Sequence, residues 1–246
     1  MHLFTLIERH SWLAIAPLDT IVPSPLPMVL PHSNKPNKQG SVACRELLQQ
    51  LQASLGMMGE LVETDFPYYI QLDNNSLFGT KNWAEGINQR QARWYVSFSH
   101  SQRHVAVLLS KSSQIGVDIE DKPISEAVAK RFFSPQETAW LTQLQQTAEL
   151  TAPQLQALRQ LFWVLKESSI KFQHNTHQHQ PSLTQGLKHD LLEYLTMADL
   201  LYLSDKPINP DIIPIIQDDG LFYGYIPSFQ CGFMLQNDDY RQKPMN

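Results

Sequence analysis

Three acidic residues from two short segments could together hold a metal ion. Asp118 and Glu120 lie in IGVDIE, where apolar and acidic residues alternate as they do in a β-strand. Residues two apart on a strand point to the same face, so these carboxylates would lie roughly 6–7 Å apart and repel each other if partly buried. Glu167, in KESSIK, could add a third carboxylate from a helix. Such a set predicts an oxygen-rich Mg²⁺ site with open positions for water and phosphate.

The segment 153–172 is predicted to be a helix with two different faces. At 100° per residue, leucines and phenylalanines gather on one side as a core face. The opposite side mixes apolar and charged residues, which is typical neither of a solvated face nor of a core, and therefore indicates the lining of a cleft. The lysines of this face would neutralise phosphate oxygens beside the acid. Its members are Trp163, Lys166, Glu167, Ile170 and Lys171.

Two simpler interpretations of these residues stay open. The helix face could be exposed to solvent, with an i,i+4 pair of Glu167 and Lys171 that contributes ~0.3 kcal/mol. Asp118 or Glu120 could pair with an arginine instead of a metal ion, since either partner would offset the repulsion.

The composition is that of a globular protein and argues against several function classes. The 246 residues are 42% hydrophobic and carry a formal net charge of −5, which gives no general reason to bind nucleic acid or an anionic membrane. Cys44 and Cys231 are far apart and no CxxC occurs, so a reducing cytoplasmic setting fits better than a disulfide framework or a zinc site. Glu8 and Arg9 stand where a signal peptide would be apolar, and no apolar run reaches the ~20 residues that span a bilayer.

The first half of the chain predicts one helix and several strands. Residues 2–8 predict a strand, and 17–36, with six prolines, predict an extended connection. SVACRELLQQLQASLGM predicts a helix with Ser41 as its N-cap and Gly56 at its end. RWYVSFSH, HVAVLLS and IGVDIE predict a small antiparallel meander that ends on the acidic pair.

The second half is richer in helices. SEAVAKRFF and SPQETAWLTQLQQ are helical, and the latter begins with Ser134 as N-cap, Pro135 at the first position and Glu137 three residues after the cap. Beyond helix 153–172, the tail predicts short strands broken by prolines. The fold class is therefore α+β with two lobes. The predicted division is residues 1–112, residues 113–236 and a polar tail at 237–246.

Four linked segments resemble a known enzyme family. WYVSFSHS, IGVDIE, AKRFFSPQE and FWVLKESSIK, in this order within residues 94–171, resemble the 4′-phosphopantetheinyl transferases of the larger, monomeric, surfactin-type group. The resemblance implies two pseudo-twofold-related lobes, each a small antiparallel sheet with packed helices, with the active site at their interface. It further implies a Mg²⁺-dependent transfer of 4′-phosphopantetheine from coenzyme A to a serine of an apo acyl or peptidyl carrier protein, which releases adenosine 3′,5′-bisphosphate.

The resemblance also implies roles for individual residues in the second lobe. Asp118, Glu120 and Glu167 match the family's metal ligands, and Lys166 and Lys171 match basic residues near the phosphates. Glu167, or a metal-bound water that it orients, would take the proton from the attacking serine hydroxyl. Lys171, together with His100 from the first lobe, would stabilise charge on the leaving phosphate.

The nucleotide side of the coenzyme is assigned to the first lobe by the same resemblance. Ser99 and His100 match a Ser-His pair that meets the coenzyme near its nucleotide phosphates. Arg45 is a candidate ligand of the 3′-phosphate, as are Lys38 and Lys35. Residues 73–93 depart from the family pattern, because many members carry Gly-Lys-Pro there and this chain does not.

Several alternatives follow from these residues. Glu137 matches a glutamate of the family, but its position after Ser134 equally favours a capping box. A Mg²⁺-dependent nuclease or phosphodiesterase is one alternative function, since Asp118 is followed by Glu120-x-Lys122. A non-catalytic binder of carrier proteins is the other, suggested by the absence of Gly-Lys-Pro.

Overall fold

The computed structural model describes two compact units, Met1–Ser113 and Gln114–Asn246. Each unit has its own antiparallel sheet with helices packed on it, so the chain is α+β. The pseudo-twofold relation between the two lobes stays a prediction. The expectations for Lys35, for the Gly-Lys-Pro region and for the tail fall outside the described residues. Those are residues 1–7, 10–21, 38–64, 66–72, 93–147, 150–174, 195–204, 215–218 and 220–236.

The first unit contains a six-stranded sheet and helix α1. The strand order is β1-β2-β6-β5-β4-β3, and every neighbouring pair is antiparallel. Strands β2, β3 and β4 were not predicted. The elements are β1 His2–Ile7, β2 Ser11–Pro17, α1 Lys38–Ser54, β3 Gly59–Val62, β4 Tyr68–Leu72, β5 Arg93–His100 and β6 His104–Ser110.

Helix α1 covers one face of this sheet with a stripe of leucines. Leu47, Leu48 and Leu51 are buried against sheet residues that include Val96 and Val107, because they recur at helical spacing on one face. The helix begins at Lys38, before the predicted N-cap Ser41, and runs to Ser54. Gly56 then adopts φ +64°, the left-handed conformation in which glycine commonly ends helices.

The second unit contains a four-stranded sheet and four described helices. The strand order is β7-β10-β9-β8. Within the described residues, no helix is both long and apolar enough to cross a membrane. The elements are β7 Ile115–Ile119, α2 Glu126–Phe132, α3 Pro135–Gln146, α4 Ala152–His174, α5 Met197–Ser204, β8 Ile215–Asp218, β9 Leu221–Ile226 and β10 Cys231–Gln236.

Strand β7, which carries the acidic pair, does not continue the meander of β5 and β6. It pairs with β10 in the second sheet, with Asp118 opposite Gly232 and Val117 opposite Phe233. The prediction of a three-strand meander is therefore wrong at its third strand. Local order along the chain favoured pairing with β6, whereas the actual partner lies more than a hundred residues further on.

Helix α4 lies directly on β7 and β10 because two glycines allow close approach. A Cβ atom at Gly116 would lie 2.0 Å from the carbonyl oxygen of Ser168, and one at Gly232 would lie 2.8 Å from a methyl group of Val164. The buried Ser168 hydroxyl donates to the carbonyls of Val164 and Gly232 at 2.7 and 2.9 Å. The face of β7 that contains Gly116 and Asp118 is thus held against α4.

Candidate active site

Asp118 is held by a lysine from α4. Lys171 Nζ donates to Asp118 Oδ1 and to the carbonyl oxygen of Val117, both at 2.8 Å. The side chain of Asp118 is 12% exposed and that of Lys171 is 27% exposed, so the pair lies at the edge of the helix–sheet interface. Lys171 therefore neutralises Asp118 in this structure instead of forming the i,i+4 pair with Glu167.

Glu120 follows directly after β7 and is fixed through its backbone. Its N–H donates to the carbonyl of Gln230 at 3.3 Å, and its carbonyl accepts from Gln160 Nε2 at 2.7 Å. Its carboxylate accepts the backbone N–H of Lys122 at 2.9 Å and so closes a local turn.

Gln160 and Gln230 are site residues that the sequence analysis missed. Gln160 precedes Glu167 by seven residues, which is two helical turns, and so shares its side of α4. That spacing was a usable signal. Gln230 has φ +49°, a conformation that is uncommon for a residue other than glycine, and no sequence pattern marked it.

Glu167 lies mostly buried beside these groups. Its pKa is raised from 4.5 to about 7, mainly by burial and then by the charges of Asp118 and Glu120, while Lys171 partly opposes the increase. The three carboxylates predicted to act together are therefore within electrostatic reach of one another. In the part of the chain that the structure describes, however, no three acidic, histidine or cysteine side chains stand close enough to hold a metal ion.

The donor chemistry of this set fits a hard divalent cation even though the ligands are not assembled. Glu167 is mostly buried, and the charges of Asp118 and Glu120 add to the burial that raises its pKa, so acidic groups are concentrated here. Mg²⁺ prefers carboxylate oxygens and retains several water ligands, so it suits a partly open set. A cation here would compete with the contact of Lys171 at Asp118 Oδ1 and with that of the Lys122 N–H at Glu120 Oε1.

Lys166 lies in a different place from the one predicted. Its side chain is 1% exposed, and Nζ lies 2.9 and 2.7 Å from the two carboxylate oxygens of Glu137, which is 0% exposed. A helical wheel divides a helix into two faces, but α4 is covered on more than one side, by β7 and β10 and also by α3. The prediction that Lys166 lines an open cleft is wrong, because the side chain is fully enclosed, whereas its role near the phosphates stays a prediction.

The remaining residues of the predicted cleft face are partly buried and partly accessible. Ile170 is buried, and the half-buried Trp163 packs edge-on against Phe132 with ring centroids 5.7 Å apart. Only Glu167 and Lys171 of the charged residues keep part of their surface accessible. Glu137 forms the capping box with Ser134 that its position indicated.

His100, in the first unit, lies against the first turn of α1. A Cβ atom at Gly40 would lie 2.6 Å from Cγ of the His100 imidazole, so the ring occupies the space that a side chain at position 40 would fill. Ser99 is buried and, as the neighbouring residue on β5, points to the opposite face of the sheet. The carbonyl of Ser99 accepts from Cys44 Sγ at 3.4 Å.

Arg45 is engaged within the first unit. Nε and NH2 donate to the two carboxylate oxygens of Glu63 at 2.9 and 2.5 Å, and NH1 donates to the carbonyl and hydroxyl of Ser41. A guanidinium held in this bidentate way is committed to its carboxylate. A phosphate role for Arg45 would require it to give up Glu63. Lys38 is the first residue of α1, and its side chain falls outside the described residues.

The comparison with protein families identifies the segment that contains the carboxylates. Residues 114–192 match the model of the 4′-phosphopantetheinyl transferase superfamily. The matched segment includes β7, α2, α3 and α4, and is about a third of the chain. It supports phosphopantetheine transfer as the general activity of this unit. The search among curated proteins gave no match.

Proposed function

We propose that the protein is a surfactin-type 4′-phosphopantetheinyl transferase. It transfers the 4′-phosphopantetheine group of coenzyme A to a serine hydroxyl of an apo acyl or peptidyl carrier protein, with Mg²⁺, and releases adenosine 3′,5′-bisphosphate. The observation that carries the proposal is the superfamily match over residues 114–192, which contains the three interacting carboxylates.

Asp118, Glu120 and Glu167 would hold the magnesium ion. When bound, the ion supplies positive charge to the pyrophosphate oxygens and keeps the carboxylates ionised. The chain's own contribution is the geometry of β7 and α4. Lys171, released from Asp118, would remain within reach of the phosphates as a compact positive charge on a flexible stem.

Glu167 is the proposed general base. It is a mostly buried carboxylate close to the charges of Asp118 and Glu120, and a positioned carboxylate can accept a proton as the nucleophile attacks. Its carboxylate, or a water that it orients, would take the proton of the carrier serine as the serine oxygen attacks phosphorus. The proton thereby leaves the nucleophile as the bond to the leaving phosphate breaks.

Ser99 and His100 are proposed to contact the nucleotide phosphates of the coenzyme. The His100 imidazole can donate hydrogen bonds from its nitrogens to phosphate oxygens. The packing of the ring against Gly40 limits its movement. Lys38 is retained as a candidate for the 3′-phosphate because it is the first residue of α1, where backbone N–H groups also favour anions.

Mass spectrometry of apo carrier proteins tests the proposal. Carriers of fatty-acid, polyketide and nonribosomal-peptide type are incubated with the protein, coenzyme A and Mg²⁺, and one carrier should gain the mass of a single phosphopantetheine group. Cleavage of plasmid DNA without carrier modification would favour the nuclease instead. Calorimetric binding of a carrier without any binding of coenzyme A would favour the non-catalytic binder.

A further inference from the structure

The buried ion pair between Glu137 and Lys166 lies one residue away from Glu167. Both partners are enclosed, at 0% and 1% exposed, and Lys166 Nζ contacts both carboxylate oxygens. Removing two charges from water offsets most of what their attraction contributes, so a pair of this kind is a weak source of net stability. Net stability therefore does not explain why this ion pair is present in the interior.

Glu137 connects Lys166 to the first turn of α3. Its Oε2 accepts the backbone N–H of Ser134 at 2.8 Å, and its own N–H donates to Ser134 Oγ at 3.0 Å. Lys166 Nζ also lies 5.8 Å from the centroid of the Phe133 ring. The Lys166 side chain is thus anchored to a capped helix end whose backbone is itself fixed by two reciprocal hydrogen bonds.

This anchor determines the direction of the next side chain on α4. Consecutive residues of an α-helix point 100° apart, so fixing Lys166 toward α3 fixes the direction of Glu167. On another side of the helix, Gly116 admits the Ser168 carbonyl, and Lys171 bonds to Asp118. Contacts on two sides therefore limit both the rotation and the sliding of α4.

We propose that the Glu137–Lys166 pair is a positioning device that holds Glu167 facing Asp118 and Glu120, so that the three carboxylates can take a divalent cation. The inference rests on the proposed function where enzymatic activity is measured. The measurement of cation binding does not depend on that function. A rotation of α4 by about 20° would displace a side-chain end by about 2 Å. Ligand distances in metal sites tolerate only about 0.2 Å, so such a rotation would disable the site.

Three variants of the full-length protein separate positioning from stability. Lys166→Met removes the positive charge that contacts both oxygens of the buried Glu137 carboxylate, and should lower the Tm by roughly 10 °C. Glu137→Gln keeps an N-terminal capping residue and a hydrogen-bond acceptor for Lys166. The combination Glu137→Gln/Lys166→Met removes both charges at nearly constant volume and should recover most of the Tm, since neutral replacement of a buried pair is commonly tolerated.

The readouts are the Tm, the Kd for Mn²⁺ from the EPR signal of the free ion, and kcat and KM for coenzyme A. In the double variant, we expect the Kd for Mn²⁺ to rise about tenfold or more and kcat to fall similarly, while KM changes little, as for other residues that orient metal ligands. Lys130→Met is the matched control, because it removes an exposed lysine–glutamate pair on α2. It should change none of these values.

A double variant with the wild-type Tm, Kd for Mn²⁺ and kcat would overturn the inference. If the double variant does not fold, an unchanged Mn²⁺ affinity in Lys166→Met would overturn it equally, because that variant removes the lysine that anchors α4 to Glu137. A wild-type protein that binds Mn²⁺ but modifies no carrier would contradict the proposed function alone, since the comparison of Mn²⁺ affinities would still decide the positioning role. A wild-type protein that modifies carriers with unaltered Mn²⁺ binding in both variants would contradict the positioning role alone.

Discussion

Lys171 Nζ lies 2.8 Å from Asp118 Oδ1 and so joins β7, the edge strand of the second sheet, to α4. The same ammonium group reaches the carbonyl of Val117, at the same distance. Lys171 therefore contacts one of the carboxylates that we propose as a magnesium ligand. In the proposed site, an ion that binds at Asp118 displaces this lysine and frees it for the phosphates.

Lys171→Met should make the folded state more dependent on divalent ions. The variant leaves Asp118 without its charged partner, and we expect a loss of about 1.5–3 kcal/mol in the free energy of unfolding. Saturating Mg²⁺ should raise the Tm of the variant more than that of the wild type, because the ion then supplies the missing positive charge. Thermal denaturation with and without Mg²⁺ measures both effects, and an equal Mg²⁺ response in the two proteins would contradict the exchange of partners at Asp118.

Asp118→Asn and Glu167→Gln should each abolish carrier modification in a folded protein. Both changes keep the side-chain shape but remove a charge that would hold the ion, and Glu167→Gln also removes the proposed base. The expected loss is at least about 100-fold in rate, measured by mass spectrometry of the carrier. Glu60→Gln, an exposed glutamate on β3, is the control and should retain full activity. Activity retained in either site variant would remove that residue from the proposed ligand set.

The stability of the metal-free protein should fall as the pH rises from about 5 to 8. The pKa of Glu167 is raised from 4.5 to about 7 in the folded state, so the folded protein binds the proton more tightly than the unfolded chain does. The contribution of Glu167 to the free energy of unfolding is therefore fully present below pH 4.5 and is lost as the pH rises through 7. Because Glu167 is partly exposed, the loss should be about 2 kcal/mol rather than the full value of the shift.

Thermal denaturation across this pH range tests the titration of Glu167. In Glu167→Gln, the decline should flatten because no carboxyl titrates at that position. Saturating Mg²⁺ should also flatten it in the wild type, since a bound cation keeps the carboxylate ionised and compensated. The same decline in Glu167→Gln as in the wild type would assign the pH dependence to other groups.

Gly40→Ala should weaken coenzyme binding through His100. The added methyl group would overlap the imidazole, whose Cγ lies 2.6 Å from the position of that Cβ atom, so the ring has to move. We expect the Kd for coenzyme A to rise roughly tenfold, because small displacements of a positioning group have large effects. Gln39→Ala, an exposed neighbour in the same turn, is the control.

A double-mutant cycle shows whether Gly40 acts through His100. Calorimetry on Gly40→Ala, His100→Ala and the combined variant should give a combined loss no larger than that of His100→Ala alone, because the ring that Gly40 seats is already gone. Additive losses would mean that Gly40 acts independently of His100.

Local sequence signals were reliable where the interaction lies within one element. The capping box of Ser134 and Glu137 formed as its spacing indicated, and Gly56 ends α1 with a positive φ. Strands β5 and β6 formed over RWYVSFSH and HVAVLLS. These features depend on residues close along the chain, so the pattern itself contains the necessary information.

Pairing between distant segments was not readable in the same way. The partner of β7 is β10, and the strand β2 next to the proline-rich segment was not recognised. Arg45 is a basic residue by type, but its bonds to Glu63 show only in the fold. Side-chain type states what a residue could bind, and three-dimensional proximity decides what it does bind.

The sequence by itself grouped Asp118, Glu120 and Glu167 through the order and spacing of their segments, and in the structure the charges of the first two raise the pKa of the third. Only the tertiary structure decided the partners of the two lysines near Glu167, because their side chains leave the same helix in different directions. Lys171 reaches Asp118 across the helix–sheet interface, while Lys166 is enclosed with Glu137 against α3. A charged side chain is buried only where a partner charge and hydrogen bonds offset the loss of water. The packing of separate elements supplies that partner.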